Sequence, residues 1–155
     1  MRPRLLLYGI NPLPIAPKLV IHSALSFKTS IIQIKKVKSG SRVGYGGTFK
    51  ATKDGEIAIL PVGFADGLSR LLSNRGSVIF HGQRLSVGGR ISMDWTAVEI
   101  PDQATAKIGD EVCLIGRQGN EQISIKEVAD HCNTITYEVL SGIGPRVQRI
   151  YSKSG

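Results

Sequence analysis

The feature that most limits what this chain can become is the way its glycines cut it up. Eighteen glycines in 155 residues leave apolar runs too short for helices and suited to strands bounded by turns. Glu56 to Val62 ends at Gly63, and Ser77 to Phe80 and Arg84 to Val87 flank His81-Gly82 as a hairpin. Glu111 to Ile115 ends at Gly116, and Lys53-Asp54-Gly55 carries the Asp-Gly signature of a tight hairpin turn. Leu25 to Lys38 reads as one long strand with a β-branched centre, and Arg90 to Ile100 as another. Helical signals come late. Ser124 and Glu127 form a capping box ahead of Ile125, Val128 and Ala129, which predicts a helix from about Ile125 to His131. Thr134 to Leu140 reads as a second short helix, stopped by Gly142 to Pro145, and Val147 to Tyr151 as a closing strand. The expectation is a mainly β domain, β-barrel-like or a sandwich, with one or two short helices.

The first residues stand apart. Arg4 to Tyr8 reads as a buried strand, but Pro12, Pro14 and Pro17 follow it closely. Prolines cannot join a sheet interior. Residues 1–17 are therefore expected to be a separate strand and crossover linker, and residues 18–155 the domain proper. With 41% hydrophobic and 21% charged residues, the composition is that of a soluble globular chain. No apolar run nears the roughly 20 residues of a membrane helix, and the basic start is too short for a secretory signal, so a cytoplasmic location is expected. The net charge of +8 raises nucleic acid as a partner. Its positive residues are dispersed apart from Lys35, Lys36 and Lys38, and aromatics do not alternate with them as a stacking platform needs. Nucleic-acid binding is not expected. Cys113 and Cys132 lack metal spacing, and His22, His81 and His131 are scattered, so no metal site is expected and the thiols read as reduced and structural.

The chemistry-bearing stretch is Gly44-Tyr45-Gly46-Gly47-Thr48. Glycines on both sides present the Tyr45 ring without crowding Cβ atoms, and a phenol so presented can give or take a proton. A glycine-rich hairpin with a packed aromatic is the bland alternative. Further along stand Pro61-Val62-Gly63-Phe64-Ala65-Asp66-Gly67, Gly89-Arg90-Ile91-Ser92-Met93-Asp94, Thr134-Ile135-Thr136-Tyr137-Glu138 and Gly144-Pro145-Arg146-Val147, with Arg2-Pro3 before Leu7-Tyr8-Gly9 at the start. Taken singly, Tyr137 reads as a packed helix aromatic, Met93 as a core filler, Asp66, Arg70 and Arg90 as a structural ion-pair network, and Arg2 as part of a frayed end.

Taken in this order, the segments resemble the C-terminal part of alanine racemases, the fold-type III enzymes that use pyridoxal 5'-phosphate. The resemblance implies interconversion of L-alanine and D-alanine through an aldimine of that cofactor. It implies that Tyr45 exchanges a proton at one face of the substrate α-carbon, and that Met93, with Asp94, holds the substrate carboxylate. Tyr137 is implied to bind the cofactor phosphate, Arg2 to face the pyridine nitrogen, and Phe64, Asp66, Arg70 and Arg90 to line the substrate entryway. It further implies a head-to-tail homodimer, in which tyrosine and methionine reach the neighbouring subunit's site. Family members carry an N-terminal (β/α)8 barrel whose lysine holds the cofactor and serves the other face of the α-carbon. This chain is therefore expected to need a barrel domain or second subunit for catalysis and cofactor binding, and to be inactive alone. Two departures stand out: Phe64 replaces a tyrosine, and Arg4 replaces a glycine near the cofactor phosphate. The alternative is a β-domain that serves as a binding or dimerisation module.

Overall fold

The computed structural model describes Tyr8 and residues 23–151. Ten strands and two helices follow one another in that span: β1 (Phe27–Ser30), β2 (Gln33–Val37), β3 (Arg42–Val43), β4 (Phe49–Lys50), β5 (Gly55–Leu60), β6 (Ser77–Phe80), β7 (Gln83–Ser86), β8 (Thr96–Ile100), β9 (Glu111–Gln118), β10 (Glu121–Ile123), α1 (Ile125–His131) and α2 (Thr136–Gly142). One antiparallel sheet runs β1-β9-β6-β7, with β10 also paired to β9; a second runs β2-β5-β8; β3 and β4 form a ribbon. The mainly β expectation holds, with two helices. The sheets do not close into a barrel among the described residues. They are joined by a single bridge, Val87 to Val98, and β6 meets β9 in register at only Ile79 and Cys113.

The long strand expected over Leu25 to Lys38 is two strands in two sheets. The Ile31 N–H donates to the Asp110 carbonyl at 3.0 Å, and its neighbour Ile32 donates to the Ile59 carbonyl at 3.0 Å. The chain thus changes sheets between adjacent residues, with the Ile31 side chain buried at the seam. Both inner faces pack into one core with Phe80, Leu60, Ile79, Leu114 and Val98 among its members. β9 is buried over five successive residues, the pattern of a central strand covered on both faces. Cys113 and Cys132 are buried free thiols, and burial pushes the Cys113 thiol up. Among the described residues no helix is long and apolar enough to cross a membrane.

Three other expectations need correction. Lys53-Asp54-Gly55 does not close a β4–β5 hairpin, because β5 pairs with β2 and β8; the Asp54 carboxylate instead accepts from Lys38 Nζ and the Ser39 N–H. Residues 90–95 are irregular, and strand β8 begins at Thr96. Val147 to Tyr151 is no strand, since the Arg149 guanidinium donates to the carbonyls of Ile143, Gly144 and Val147 and winds the chain into a turn. The expected strand at Arg4–Tyr8 and the proline run lie outside the described residues, apart from Tyr8, which is exposed.

Helix α1 is anchored by one guanidinium. Ser124 Oγ accepts from the Glu127 N–H at 3.0 Å, which is half of a capping box. The Glu127 carboxylate does not complete it. It takes two bonds from Arg84 of β7, through Nη1 at 2.5 Å and Nη2 at 3.0 Å, while Arg84 Nε donates to Glu121 and Nη2 to the Gln122 carbonyl. One side chain thereby ties β7, β10 and α1 together. The hydrogen bonds from Arg84 hold the Glu127 carboxyl below the usual carboxylate range. A depressed carboxyl stabilises the fold above its unfolded pKa, near ~4.3, and loses that contribution as pH falls through the folded value. Glu127→Gln is expected to lower stability at pH 7 by about 1 kcal/mol, because the bidentate pair is partly exposed to solvent. The difference between variant and wild type should vanish in urea titrations taken at successively lower pH below about 4.

Candidate active site

The five quoted segments within residues 23–151 converge through backbone contacts, and one close approach makes this possible. Gly63 lies so near the chain at Ser92 and Met93 that a Cβ on it would stand 2.3 Å from the Ser92 carbonyl oxygen and 2.4 Å from that of Met93. The two strands of chain are sewn together there. Phe64 N–H donates to Ser92 O at 3.0 Å and Ala65 N–H to Met93 O at 3.1 Å, and buried Thr96 Oγ1 donates to the Val62 carbonyl at 2.7 Å. The Gly67 end of the same turn rests on α2, its α-carbon side facing the Gly142 carbonyl and Ile143.

Tyr45 opens a tight turn, Tyr45–Gly47, closed by the Gly47 N–H donating to the Gly44 carbonyl at 3.0 Å, beside residues 89 and 90. Gly44, at φ 81°, takes a left-handed conformation and leaves room for the Arg90 backbone, whose nitrogen would lie 3.1 Å from a Cβ there. Arg90 Nη1 lies against Gly46 in the same way, 3.3 Å from the Cβ position. Asn74 fastens this arrangement: its Nδ2 donates to Thr48 Oγ1 and its Oδ1 accepts from the Gly89 N–H at 2.8 Å. Next to it, Ser73 Oγ accepts from the Ile91 N–H and donates to the Arg70 carbonyl, which sets the 3₁₀ turn Arg70–Leu72 beside residues 89–91.

The charges are arranged around Arg146. Its Nη2 donates to Asp94 Oδ1 at 2.7 Å, and its Nε lies 3.4 Å from Asp66 Oδ1. Asp66 is 8% exposed, and its other oxygen accepts from the Gly63 N–H at 2.9 Å. The hydrogen bond to Asp94, then the charge of Asp66, holds the Arg146 guanidinium above its ordinary range. The ion-pair reading of Asp66, Arg70 and Arg90 is thus corrected: the cation facing Asp66 is Arg146, and among the described residues Arg70 and Arg90 make no ion pair. Nor are Met93 and Tyr137 core side chains, being 53% and 46% exposed, while Tyr45 is 72% exposed. Phe64 is exposed as well, at the rim of a cavity of about 200 Å³ whose walls include Leu71, Cys132 and Val139.

The turn that carries Met93 is closed by its flanks. Ser92 N–H and Ser92 Oγ both donate to the Trp95 carbonyl, at 3.0 and 2.9 Å, and Trp95 N–H donates back to Ser92 Oγ. Between them the Met93 N–H has no acceptor among the described residues. Such a donor, in an exposed turn whose Asp94 is held by the Arg146 guanidinium, suits a small carboxylate ligand. Tyr137 stands in the first turn of α2, and its near neighbours Thr134 and Glu138 line the same cavity as Phe64 and Gly67. Arg2 lies outside the described residues. Sequence reasoning quoted Arg146 without giving it a task and passed over Ser73, Asn74 and Thr96. The available signal was the Ser73-Asn74-Arg75-Gly76 run, in which Asn74 adopts the left-handed conformation (φ 57°) that asparagine tolerates.

The same pieces in the same order occur in known proteins. The family profile described as "Alanine racemase, C-terminal domain" matches residues 24–151. An alanine racemase of Carboxydothermus hydrogenoformans is 43% identical over 153 residues, covering 97% of this chain and 42% of that protein. One from Halothermothrix orenii is 38% identical over 152 residues, covering 97% of this chain and 40% of the relative. Among solved structures, the alanine racemase of Bacillus anthracis with bound L-Ala-P superposes with a TM-score of 0.88 at 36% identity, over 96% of this chain and 38% of that one. The Bartonella henselae enzyme with covalently bound pyridoxal phosphate gives 0.86 at 33% identity, over 96% and 40%. The chain therefore spans about two fifths of the length of the curated relatives it matches.

The close approach at Gly63 makes a direct prediction. Gly63→Ala should force residues 63–65 away from residues 92–93 and cost about 3 kcal/mol, as overpacking against rigid backbone does. Urea denaturation reads this, and a change within error would mean that the two segments do not meet as described.

Proposed function

Since the chain belongs to the alanine racemase C-terminal domain family, we propose that it is the part of an alanine racemase that supplies a tyrosine acid/base and the substrate-carboxylate site. The observations that carry the reading are an exposed Tyr45 and a Met93 N–H without an acceptor among the described residues, each on a turn fixed from several sides.

Racemisation of an amino acid requires a proton to leave one face of the α-carbon and another to arrive on the opposite face. Tyr45 is the proton-transfer group for one face: its glycine-flanked turn presents the hydroxyl to solvent, where among the described residues it has no other partner. The Met93 N–H donates to the substrate carboxylate, and Asp94, held by Arg146, keeps that turn in place. Arg90, lying over Gly46, and the exposed Arg70 and Phe64 border the way in, together with the buried Asp66 that Arg146 faces. The proton-transfer group for the second face belongs to a barrel domain outside this chain. The pyridoxal phosphate of the family fits these residues as a partial set: Tyr137 offers an exposed hydroxyl without a partner among the described residues, suited to a phosphate oxygen. When bound, that cofactor acts as the electron sink for the α-carbon. Arg2 and the lysine-bearing barrel would complete its site. Work on a small cytoplasmic amino acid as part of a homodimer belongs to the same proposal.

The test is reconstitution. This chain mixed with an alanine racemase barrel domain and pyridoxal phosphate should convert L-alanine to D-alanine, and the chain alone should not. Tyr45→Phe should lower the rate of the mixture by at least about 100-fold, the typical worth of a positioned acid/base. An unchanged rate would remove the role given to Tyr45, and activity of the chain alone would remove the division of labour.

A further inference from the structure

We propose that Arg146 is a positioning residue that fixes the Met93–Asp94 turn in the orientation presenting the Met93 N–H to a substrate carboxylate. The inference rests on the reading of Met93 given above.

The turn is held on two sides. Ser92 and Trp95 close it at its base through three hydrogen bonds. The Asp94 side chain has one partner among the described residues, Arg146 Nη2 at 2.7 Å. Met93 lies between these anchors. Arg146 is itself located by the turn that Arg149 closes over residues 143–147, and by Asp66, whose second oxygen caps the Gly63 N–H. A shift of Asp94 would therefore be felt at the Ala65-to-Met93 hydrogen bond, because both run through one connected set of atoms. Stability alone is a poor account of this trio. The Arg146 and Asp94 side chains are about half exposed, and pairs of that kind add little to folding. The arrangement instead suits electrostatics. Asp66 and Asp94 would together repel an arriving carboxylate, and the guanidinium between them offsets part of that charge while it fixes the geometry.

The experiment uses the full 155-residue chain, alone and mixed with a barrel domain, as wild type, Arg146→Met, Arg146→Lys and Asp94→Asn. In the mixture, Arg146→Met and Asp94→Asn should raise KM for alanine about tenfold and change kcat less than about threefold, as loss of a binding interaction shared by ground and transition states does. Arg146→Lys, which keeps a charged donor for Asp94, should recover most of the loss. In the chain alone, amide exchange read by NMR should quicken about tenfold at Ala65, Ser92 and Trp95, whose N–H groups are bonded at this turn, and stay unchanged in β5 and β9, as a local opening requires. Unchanged KM and unchanged local exchange in both Arg146→Met and Asp94→Asn would overturn the proposal. So would exchange that rises throughout β5 and β9, which is the mark of a general structural role. Asp94→Asn guards against an Arg146→Met chain that fails to fold, since it removes the charge of the same contact from the exposed partner. A wild-type mixture that does not racemise removes the functional reading alone, and the local exchange at Ala65, Ser92 and Trp95 then still supports or overturns the hold of Arg146 on the turn.

Discussion

The site depends on backbone meeting backbone at Gly63. Nothing larger than hydrogen fits on that α-carbon, because the Ser92 and Met93 carbonyls fill the space. Two hydrogen bonds from Phe64 and Ala65 then carry the β5–β8 ladder beyond the regular strands. The Asp66, Asp94 and Arg146 cluster hangs from this junction. Asp66 reaches Arg146 because the turn after Gly63 directs it there, and Met93 is held out because its carbonyl is bound from behind. Gly67 then carries the contact on to the C-terminal end of α2. A sheet supplies the rigidity, and the irregular segments at its ends supply the groups, which is the usual division between scaffold and function-bearing loop.

The sequence made some of this legible and concealed the rest for definite reasons. The β6–β7 hairpin at His81-Gly82 and the helix after Ser124 are marked by local turn and cap chemistry, so they stand where expected. The break at Ile31–Ile32 leaves no such mark. Two β-branched residues in a strand-like run give no sign that one bonds to Asp110 and the next to Ile59, because the change of sheet is decided by partners far along the chain. The failed closing strand at Val147 has the same origin. Its apolar residues favour a strand, but a single guanidinium, Arg149, satisfies three carbonyls that a ladder would otherwise claim. Glu127 shows the converse. A capping box was readable, yet the carboxylate found a better-placed donor in Arg84, 43 positions away in sequence.

The candidate site was legible as motifs and not as geometry. Glycine spacing around Tyr45 gave its presentation, and the structure agrees, with Tyr45 exposed on a tight turn. Which charges meet was not readable. Asp66, Arg70 and Arg90 lie close together in sequence order, but ion pairs are set by where side chains end. The long Arg146 side chain comes from the last described segment and takes both acids. Asn74 was hidden for a related reason. Its two bonds run to Thr48 and Gly89 on either side of it in the sequence, so its role exists only once the fold has brought those turns together.

The exposure of the site residues bears on how chemistry would be divided under the proposed function. A hydrogen bond from the Met93 N–H to a carboxylate competes with water while Met93 remains half open to solvent. The same competition weakens any proton transfer by Tyr45, since electrostatic effects at a reacting centre grow when water is excluded. The described residues build no lid over either group. This chain's own contribution is therefore orientation: the turns are fixed before a ligand arrives, so little ordering remains to be done on binding. Desolvation must come from the surface that covers Tyr45 and Met93. The two contributions are separable in principle, because one lies in the connected bonds of Gly63, Asp66, Asp94 and Arg146, and the other in apolar contact across a boundary this chain does not contain.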